Sequence, residues 1–221
     1  MEEKKLGIIH TSKATIDSLA GLANDLMPGV KLMNILDDTI LPQLAEQAGD
    51  IEVVAQRWLF YARTAYELGA HCIVSACSSV GELAERAGGM IPIPVLRIDD
   101  AMAHEAVQIA TSIGIIGTLQ TTMGPTARLV KRKALEQGHD IRIDTMVVSS
   151  AYERLMAGDT KGHDEAVALA IEDMAKRMDM VLLAQASMAR VTSQLPQDMQ
   201  HRITSSPRLG MTQVARVMKS L

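Results

Sequence analysis

An internal repeat restricts the fold of this chain more than any other feature of its sequence. Residues 6–11 read Leu-Gly-Ile-Ile-His-Thr, and residues 113–118 read Ile-Gly-Ile-Ile-Gly-Thr, a shift of 107 (from position 7 to position 114). Two later apolar runs that end in polar residues, Ile73–Ser79 and Val181–Ser187, are also similar. The sequence therefore predicts a duplicated structural unit.

Cys77 and Gln185 stand at near-equivalent positions in the two later runs, because their numbers differ by 108 (from 77 to 185). A duplicated α/β unit places such residues opposite each other across a cleft. We therefore expect the function of the chain to reside at these two positions.

The composition excludes several classes of protein. With 221 residues, 48% of them hydrophobic, the chain is long enough for one large domain or two small α/β lobes. A net charge of −4 argues against a nucleic-acid partner, and 2% aromatic residues leave few platforms for stacking bases or a flavin. Cys72 and Cys77 are the two cysteines, and their spacing predicts neither a disulfide nor a metal site.

No apolar stretch approaches the roughly 18 residues of a membrane-spanning helix. The start, Met1–Lys5, is charged, and the apolar run after it is too short for a signal peptide. We therefore expect a cytoplasmic protein with no membrane partner.

Short apolar runs alternate with longer amphipathic stretches, which is typical of an α/β fold with mainly parallel sheets. The predicted strands are Leu6–Ile9, Lys31–Leu36, Cys72–Ala76, Ile93–Leu96, Ile113–Ile116, Ile141–Val148, Met180–Leu183 and Ile203–Ser206. The predicted helices are Thr15–Asn24, Ile51–Leu68, Gly81–Ala87, Arg97–Ala110, Pro125–Gln137, Asp164–Met178 and Thr212–Leu221. Because the last helix has no place in the second repeat, we expect residues 1–98 with 205–221 to form lobe one and residues 99–204 to form lobe two.

Two details of this pattern can be tested. The periodicity of residues 51–68 predicts one buried face, and Gly69 should end that helix. The members of the predicted face are Val54, Trp58, Ala62, Ala65 and Tyr66. Five histidines are expected at helix or loop surfaces, namely His71, His104, His139, His163 and His201.

Polar residues follow four of the predicted strands, where ligands bind in parallel sheets. Their hydroxyl and backbone N–H groups favour a carboxylate or phosphate. The candidate binding residues are Thr11, Ser12, Ser78, Ser79, Thr118, Thr121, Thr122, Ala186 and Ser187. Any one of the hydroxyl residues could simply cap the following helix, but their occurrence at four strand ends, two of them duplicated, favours a site.

Three of the residues at these strand ends have distinctive chemistry. Cys77 could act as base or nucleophile if a helix N-terminus or a cation lowers its thiol pKa, whereas Cys72 lies inside an apolar strand. His10 could share a proton with Cys77, hold a carboxylate, or merely cap the region of Thr15. Gln185 can donate and accept hydrogen bonds but cannot act as a base.

At these residues the chain resembles the aspartate/glutamate/hydantoin racemase superfamily over essentially its whole length. Gly7–Ser12 is similar to the opening of glutamate racemases, in which Asp-Ser replaces His10-Thr11. Gly117–Thr121 is similar to the family's Ala-Thr-x-x-Thr, and Ser75–Ser79 to its first catalytic cysteine motif. Leu183–Ala189 is similar to the hydantoin racemase run Leu-Gly-Cys-Ala-Gly-Met-Ala, which puts Gln185 at the second catalytic cysteine.

The resemblance implies two pseudo-symmetric lobes, each a mainly parallel sheet flanked by helices, with an active site in the interlobe cleft. Racemases of this family use two cysteines on opposite faces of the substrate's α-carbon, whereas related arylmalonate decarboxylases and maleate isomerases use one. With one cysteine retained, the resemblance implies proton transfer or thiol addition next to a carboxylate or carbonyl of a small acid or amino-acid-like substrate. We expect a cofactor-independent isomerase or lyase, possessing Cys77, His10 and Gln185 as catalytic residues, and a homodimer or higher homo-oligomer as in many family members.

Two alternatives stay open at this point. The chain could be a non-catalytic carboxylate-binding protein on the same scaffold, or a two-base racemase in which His10 is the second base. Incorporation of solvent deuterium into candidate acids separates catalysis from binding, because exchange requires a working base.

Overall fold

A computed structural model of the protein describes residues 3–221, so Met1 and Glu2 of the charged start lie outside the described residues. The chain divides into two compact units. The first unit runs to Asp100 and is completed by Pro207–Leu221, and the second unit is Ala101–Ser206.

Each unit contains one four-stranded parallel sheet, which confirms the predicted fold class. The strands are β1 (Lys5–His10), β2 (Lys31–Leu36), β3 (Cys72–Ser75), β4 (Val95–Arg97), β5 (Ser112–Gly117), β6 (Arg142–Val147), β7 (Met180–Leu183) and β8 (Ile203–Ser205). The strand orders, β2-β1-β3-β4 and β6-β5-β7-β8, are the same in the two units. The repeat seen in the sequence is therefore a repeat of topology.

Helices connect the strands. They are α1 (Ile16–Leu26), α2 (Ile40–Glu46), α3 (Glu52–Glu67), α4 (Gly81–Gly88), α5 (Asp100–Ile109), α6 (Gln120–Gln137), α7 (Ser149–Met156), α8 (Thr160–Ala175), α9 (Gln197–Gln200) and α10 (Ser206–Ser220). Three 3-10 segments are Lys13–Thr15, Ser78–Val80 and Ala186–Gln194. Among the described residues, no helix is long and apolar enough to cross a bilayer.

Four predicted helix starts were wrong. Helix α8 begins at Thr160 instead of Asp164, and α10 begins at Ser206 instead of Thr212. Arg97 is the last residue of β4, paired with Ser75 of β3, so the helix after it begins only at Asp100. Helix α6 begins at Gln120 and holds Pro125 in its interior, where the ring removes one backbone hydrogen bond without ending the helix. Helices α2, α7 and α9, which have four to eight residues, were not predicted.

Both faces of the first sheet are covered. Successive strand residues point to opposite faces, and each face belongs to a separate core cluster. Leu6, Ile8 and Val74 belong to a core cluster with Met211 and Val214 of α10. The last helix of the chain therefore packs on the sheet that contains β1.

The opposite face packs against α3. Ile9 and Ile73 share a core cluster with Val54, Trp58, Ala62 and Ala65 of that helix, as the periodicity predicts. Tyr66 was placed on this face wrongly: it is 39% exposed, because one step of about 100° from the buried Ala65 turns it away. Gly69 follows the helix with φ +85°, which confirms its role in ending α3.

The repeated glycine of the two units has a packing reason. A Cβ on Gly7 would lie 3.2 Å from Cβ of Ala65 on α3, and one on Gly114 would overlap Met174 on α8. Glycine thus lets a helix approach the third residue of the equivalent strand closely in both units.

Candidate active site

The candidate site residues follow the two central strands of each sheet. In the order β2-β1-β3-β4, the connection from β1 leads to β2 at one edge of the sheet, and the connection from β3 leads to β4 at the other edge. The direction of the connections therefore changes between β1 and β3. Ligands bind at such switch points, beyond the carboxyl ends of the strands. Thr11 and Cys77 lie there in the first unit, and Thr118 and Gln185 lie at the equivalent ends of β5 and β7 in the second.

The strand register brings Thr11 to Cys77. Ile9 is paired with Ser75, and Thr11 and Cys77 each lie two residues further along. Since side chains alternate along a strand, those of Thr11 and Cys77 point to the same face. The Thr11 hydroxyl donates a hydrogen bond to the Cys77 sulfur. Cys77 occupies the N-cap position of the 3-10 segment Ser78–Val80, with φ −140° and ψ 122°.

The N-cap position also explains the other donors around the sulfur. Ser79 and Val80 are the second and third residues after Cys77. Their N–H groups and the Ser79 side chain lower the pKa of the thiol, although Cys77 makes no side-chain capping hydrogen bond to this segment. Burial raises the pKa of the Cys77 thiol, and these donors with Thr11 oppose the increase without cancelling it. The helix start therefore acts on the thiol as expected, but burial outweighs it.

Cys72 has a different environment. It is fully buried within the core cluster behind β3, and burial raises its pKa to about 12. Both cysteines are free thiols, and Cys77 is the one that is partly exposed.

In the second unit the same register joins Thr118 to Gln185. Ile116 is paired with Leu183, and Gln185 has N-cap geometry (φ −132°, ψ 137°) much like that of Cys77. The backbone N–H and the hydroxyl of Thr118 both donate to the Oε1 atom of Gln185. Because a backbone N–H can only donate, this assigns the oxygen of the amide, and the NH2 group remains to donate elsewhere.

The remaining candidate residues are placed around these pairs. Ser78 and Ser79 are buried directly after Cys77, and Ser12 accepts a hydrogen bond from the Ala14 N–H, as a cap does. In the second unit, Thr121 and Thr122 lie in the first turn of α6. Ala186 and Ser187 directly follow Gln185 and are half-buried.

His10 lies apart from the thiol. Along β1 it shares its face with Leu6 and Ile8, whereas Cys77 packs against the cluster on the opposite face. The His10 ring is 0% exposed, with Nδ1 2.7 Å from Oγ1 of Thr15 and Nε2 3.0 Å from Oδ1 of Asn34. Burial lowers its pKa, and the hydrogen bond with Asn34 only partly opposes this. Of the three roles predicted for His10, the contact with Thr15 matches the capping one.

A buried polar network close to Gln185 was not predicted from the sequence. His163, expected at the surface, is fully buried on α8, and its Nδ1 lies 2.7 Å from Oδ1 of Asp164. The guanidinium of Arg190 donates to both oxygens of Asp164 (2.7 and 3.0 Å) and to the carbonyl of Ser187 (2.9 Å). Arg190 thus fixes the segment after Gln185 to α8. The adjacent Asp164 on the helix was the only available signal.

The described residues include no group of three His, Cys, Asp or Glu side chains placed to hold a metal ion. Both units have hydroxyl and N–H groups at the ends of their central strands. The first unit adds the thiol of Cys77, and the second adds the amide of Gln185.

Comparisons with known proteins agree with this geometry. The Asp/Glu/hydantoin racemase family matches residues 6–214, so the chain belongs to that family. Among solved structures, a putative Asp/Glu racemase from Yersinia pestis is 20% identical, with a TM-score of 0.73 over 98% of this chain and 99% of its own. No curated protein matches the chain.

Two further structures have the same fold with different named activities. A glutamate racemase from Bacillus anthracis has a TM-score of 0.76 at 16% identity, covering 100% of this chain and 83% of its own. An allantoin racemase from Klebsiella pneumoniae has a TM-score of 0.69 at 19% identity, covering 99% and 87%. At these identities the likeness establishes the fold.

Proposed function

We propose that this chain is an isomerase-type enzyme that moves a proton at the carbon next to a carboxylate or carbonyl of a small acid, with Cys77 as the reacting group and no cofactor. The observation that carries the proposal is the position of the Cys77 sulfur at the switch point of the first sheet, where Thr11 donates to it and the N–H groups of Ser79 and Val80 oppose the rise in its pKa. Those donors stabilise a thiolate, the form that can accept a proton from carbon.

In the proposed step the Cys77 thiolate takes the α-proton and becomes a thiol. The electron pair of the broken C–H bond moves into the substrate as an enolate, and hydroxyl and N–H groups stabilise the charge on its oxygen. Return of the proton from the thiol to the same carbon restores the acid with exchange of hydrogen, and its return to another atom of the enolate system gives an isomer. For the substrate oxygens we propose binding by Ser12, Ser78, Thr118, Thr121, Thr122, Ala186 and Ser187.

Gln185 makes this proposal different from two-thiol racemisation. Its amide has no proton to give at neutral pH and no basic lone pair to accept one. Its NH2 group can donate a hydrogen bond to a substrate oxygen or a water. With one base, proton removal and return occur at the same face of the carbon.

The solved structures of this fold have names that include glutamate, aspartate and allantoin racemases, which favours an isomerase over a lyase. Decarboxylation stays a prediction without support from them. Thiol addition, a homo-oligomer and a cytoplasmic location likewise stay predictions.

The test is to incubate each enantiomer of a panel of small chiral acids with the protein in deuterated water, and to follow label and optical rotation together. We expect one enantiomer to exchange its α-proton much faster than the other, with little net racemisation. Cys77→Ala should abolish exchange, while the matched control Cys72→Ala, at a fully buried core position, should keep it.

The alternatives give different results in the same experiment. A non-catalytic binding protein would bind an acid without any exchange. Rapid racemisation that survives Gln185→Ala but is lost in His10→Asn would show that His10 is the second base. The two hydrogen bonds of the His10 ring and its position across the sheet favour a positioning role instead.

A further inference from the structure

The residues that follow the central strands of each sheet carry no formal charge. In the first unit β1 is followed by Thr11 and Ser12, and β3 by Ala76–Ser79. In the second unit β5 is followed by Thr118, and β7 by Ala184–Ser187. His10, at the end of β1, is the single titratable nitrogen in this set, and burial lowers its pKa toward the neutral ring.

Carboxylates do follow the edge strands of the first unit, but the buried ones are already engaged by neighbouring side chains. After β2, Asp37 accepts from the N–H and hydroxyl of Thr39 through Oδ1 (3.0 and 2.5 Å). Its Oδ2 accepts from the Tyr61 hydroxyl at 2.9 Å and lies 2.7 Å from Nε of Arg57. Asp38 beside it is exposed and lies 3.8 Å from Lys13.

The carboxylates after β4 are engaged as well. Asp99 is 0% exposed, and Arg97 binds both of its oxygens, through Nε at 2.7 Å and Nη2 at 3.0 Å. Asp100 accepts a hydrogen bond from Gln213 at 3.2 Å. In the second unit, Asp164 is held by Arg190, Gln194 and His163.

This distribution of charge restricts what can bind. An ammonium group that leaves water needs a carboxylate or several acceptors, because an uncompensated buried charge is strongly unfavourable. The central strand ends instead present the NH2 group of Gln185, which can only donate, together with backbone N–H groups and hydroxyls. The N–H and the hydroxyl proton of Thr118 are already used on Oε1 of Gln185. Donors at the ends of parallel strands suit carboxylate and carbonyl oxygens.

We infer that the substrate is a small acid whose reacting carbon carries oxygen acceptors and no free ammonium group. The inference rests on the proposed function in one respect, the assignment of the substrate to these strand ends. It separates the chain from relatives named for aspartate and glutamate, and it narrows the substrate class that the sequence left as a carboxylic acid or an amino-acid-like compound.

The experiment compares matched compounds by isothermal titration with the full chain. Each set contains an amino acid, the 2-hydroxy acid with the same skeleton, and the N-carbamoyl amino acid: alanine with lactate, aspartate with malate, and glutamate with 2-hydroxyglutarate. In the set that binds most tightly, we expect the amino acid to bind at least about tenfold more weakly than its two partners, since one desolvated unpaired charge exceeds that factor.

A substitution adds a negative charge at one position. Gln185→Glu keeps an oxygen for the two Thr118 hydrogen bonds and replaces the NH2 donor by a carboxylate oxygen, so it should reduce the discrimination against the amino acid at least severalfold. Gln197→Glu, at an exposed position of α9, makes the same change in net charge and should leave the discrimination unaltered.

Each result decides the matter. An amino acid that binds as tightly as its partners, or a complete lack of binding in all sets, overturns the inference. The deuterium experiment distinguishes a failure of this inference from a failure of the proposed function. Binding of hydroxy or carbamoyl acids without Cys77-dependent exchange refutes the function and leaves the inference standing, whereas exchange into a free amino acid does the opposite.

Discussion

At the scale of single residues, the two threonines of the repeat make equivalent contacts with different partners. Thr11 donates to the sulfur of Cys77, and Thr118 donates to the amide oxygen of Gln185. The donor is retained while the acceptor changes from a thiol to an amide. The second unit thus keeps an anchored polar group at the strand end but has no base there.

Thr11→Val tests the contact with the thiol. Valine keeps the shape and removes the hydroxyl, so the thiolate loses one donor and the pKa of Cys77 should rise further. We expect the rate of Cys77 alkylation by iodoacetamide near neutral pH to fall about three- to tenfold, since such a hydrogen bond contributes about 1 kcal/mol. Thr118→Val is the matched control, and a pH profile of alkylation unchanged in both variants would contradict the assigned contact.

At the scale of elements, the start of α4 is fitted to a buried ion cluster. A Cβ on Gly81 would lie 2.5 Å from Cζ of Arg97. That guanidinium cannot move aside easily, because Asp99 binds it on two nitrogens and Glu85 on the third at 2.7 Å. The cluster therefore holds the helix that continues from the N–H groups around Cys77.

Gly81→Ala should accordingly destabilise the protein, although alanine is the better helix former. We expect a loss of about 1–3 kcal/mol in the free energy of unfolding, measured by urea denaturation, from overpacking against Arg97. Gly21→Ala, in an exposed part of α1 with nothing within 4 Å of the new Cβ, should instead stabilise by about 0.5–1 kcal/mol. If the two substitutions had the same effect, the Arg97 cluster would not restrict α4.

At the scale of the whole molecule, each unit contains a carboxylate held mainly by hydrogen bonds. Burial alone would raise the pKa of Asp37, but Thr39, Tyr61 and Arg57 outweigh it and lower the value. Burial would likewise raise the pKa of Asp164, and hydrogen bonds from Arg190, His163 and Gln194 lower it instead. Acid should therefore weaken both units.

Asp164→Asn tests this coupling. Because the folded pKa is lowered, the stabilisation is complete above the unfolded value of about 3.9 and is lost as pH falls through the folded value. At pH 7 the variant should lose about 1–2 kcal/mol, toward the lower end because Arg190 is partly exposed, and its stability should fall less steeply with acid below about pH 4.

Urea unfolding at several pH values measures both effects. Asp38→Asn is the control, since that exposed side chain has only a 3.8 Å contact with Lys13 and should change stability by less than about 0.5 kcal/mol. Parallel pH curves for the native protein and Asp164→Asn would show that the Arg190 network does not depend on the charge of Asp164.

Local pattern determined much of the fold. Apolar runs such as Lys31–Leu36 and Met180–Leu183 predicted the strands to the residue, because the strand period depends on neighbouring residues alone. The repeat predicted two units of equal topology and, through the strand ends, the positions of Cys77 and Gln185. The residues after these strands then lie at the same edge of each sheet, because parallel strands bring their carboxyl ends together.

Only the tertiary structure decided which partner each polar side chain has. His10 turned to the far side of the sheet from Cys77, and His163 was buried beside Asp164 and Arg190. Arg97 joined a strand and bound Asp99, two residues along the chain, in a fully buried pair. Such pairings depend on distant segments that exclude water, and local periodicity contains no record of them. The pKa of Cys77 is a further example. From the sequence, a helix start could lower it, whereas burial in the folded unit raises it.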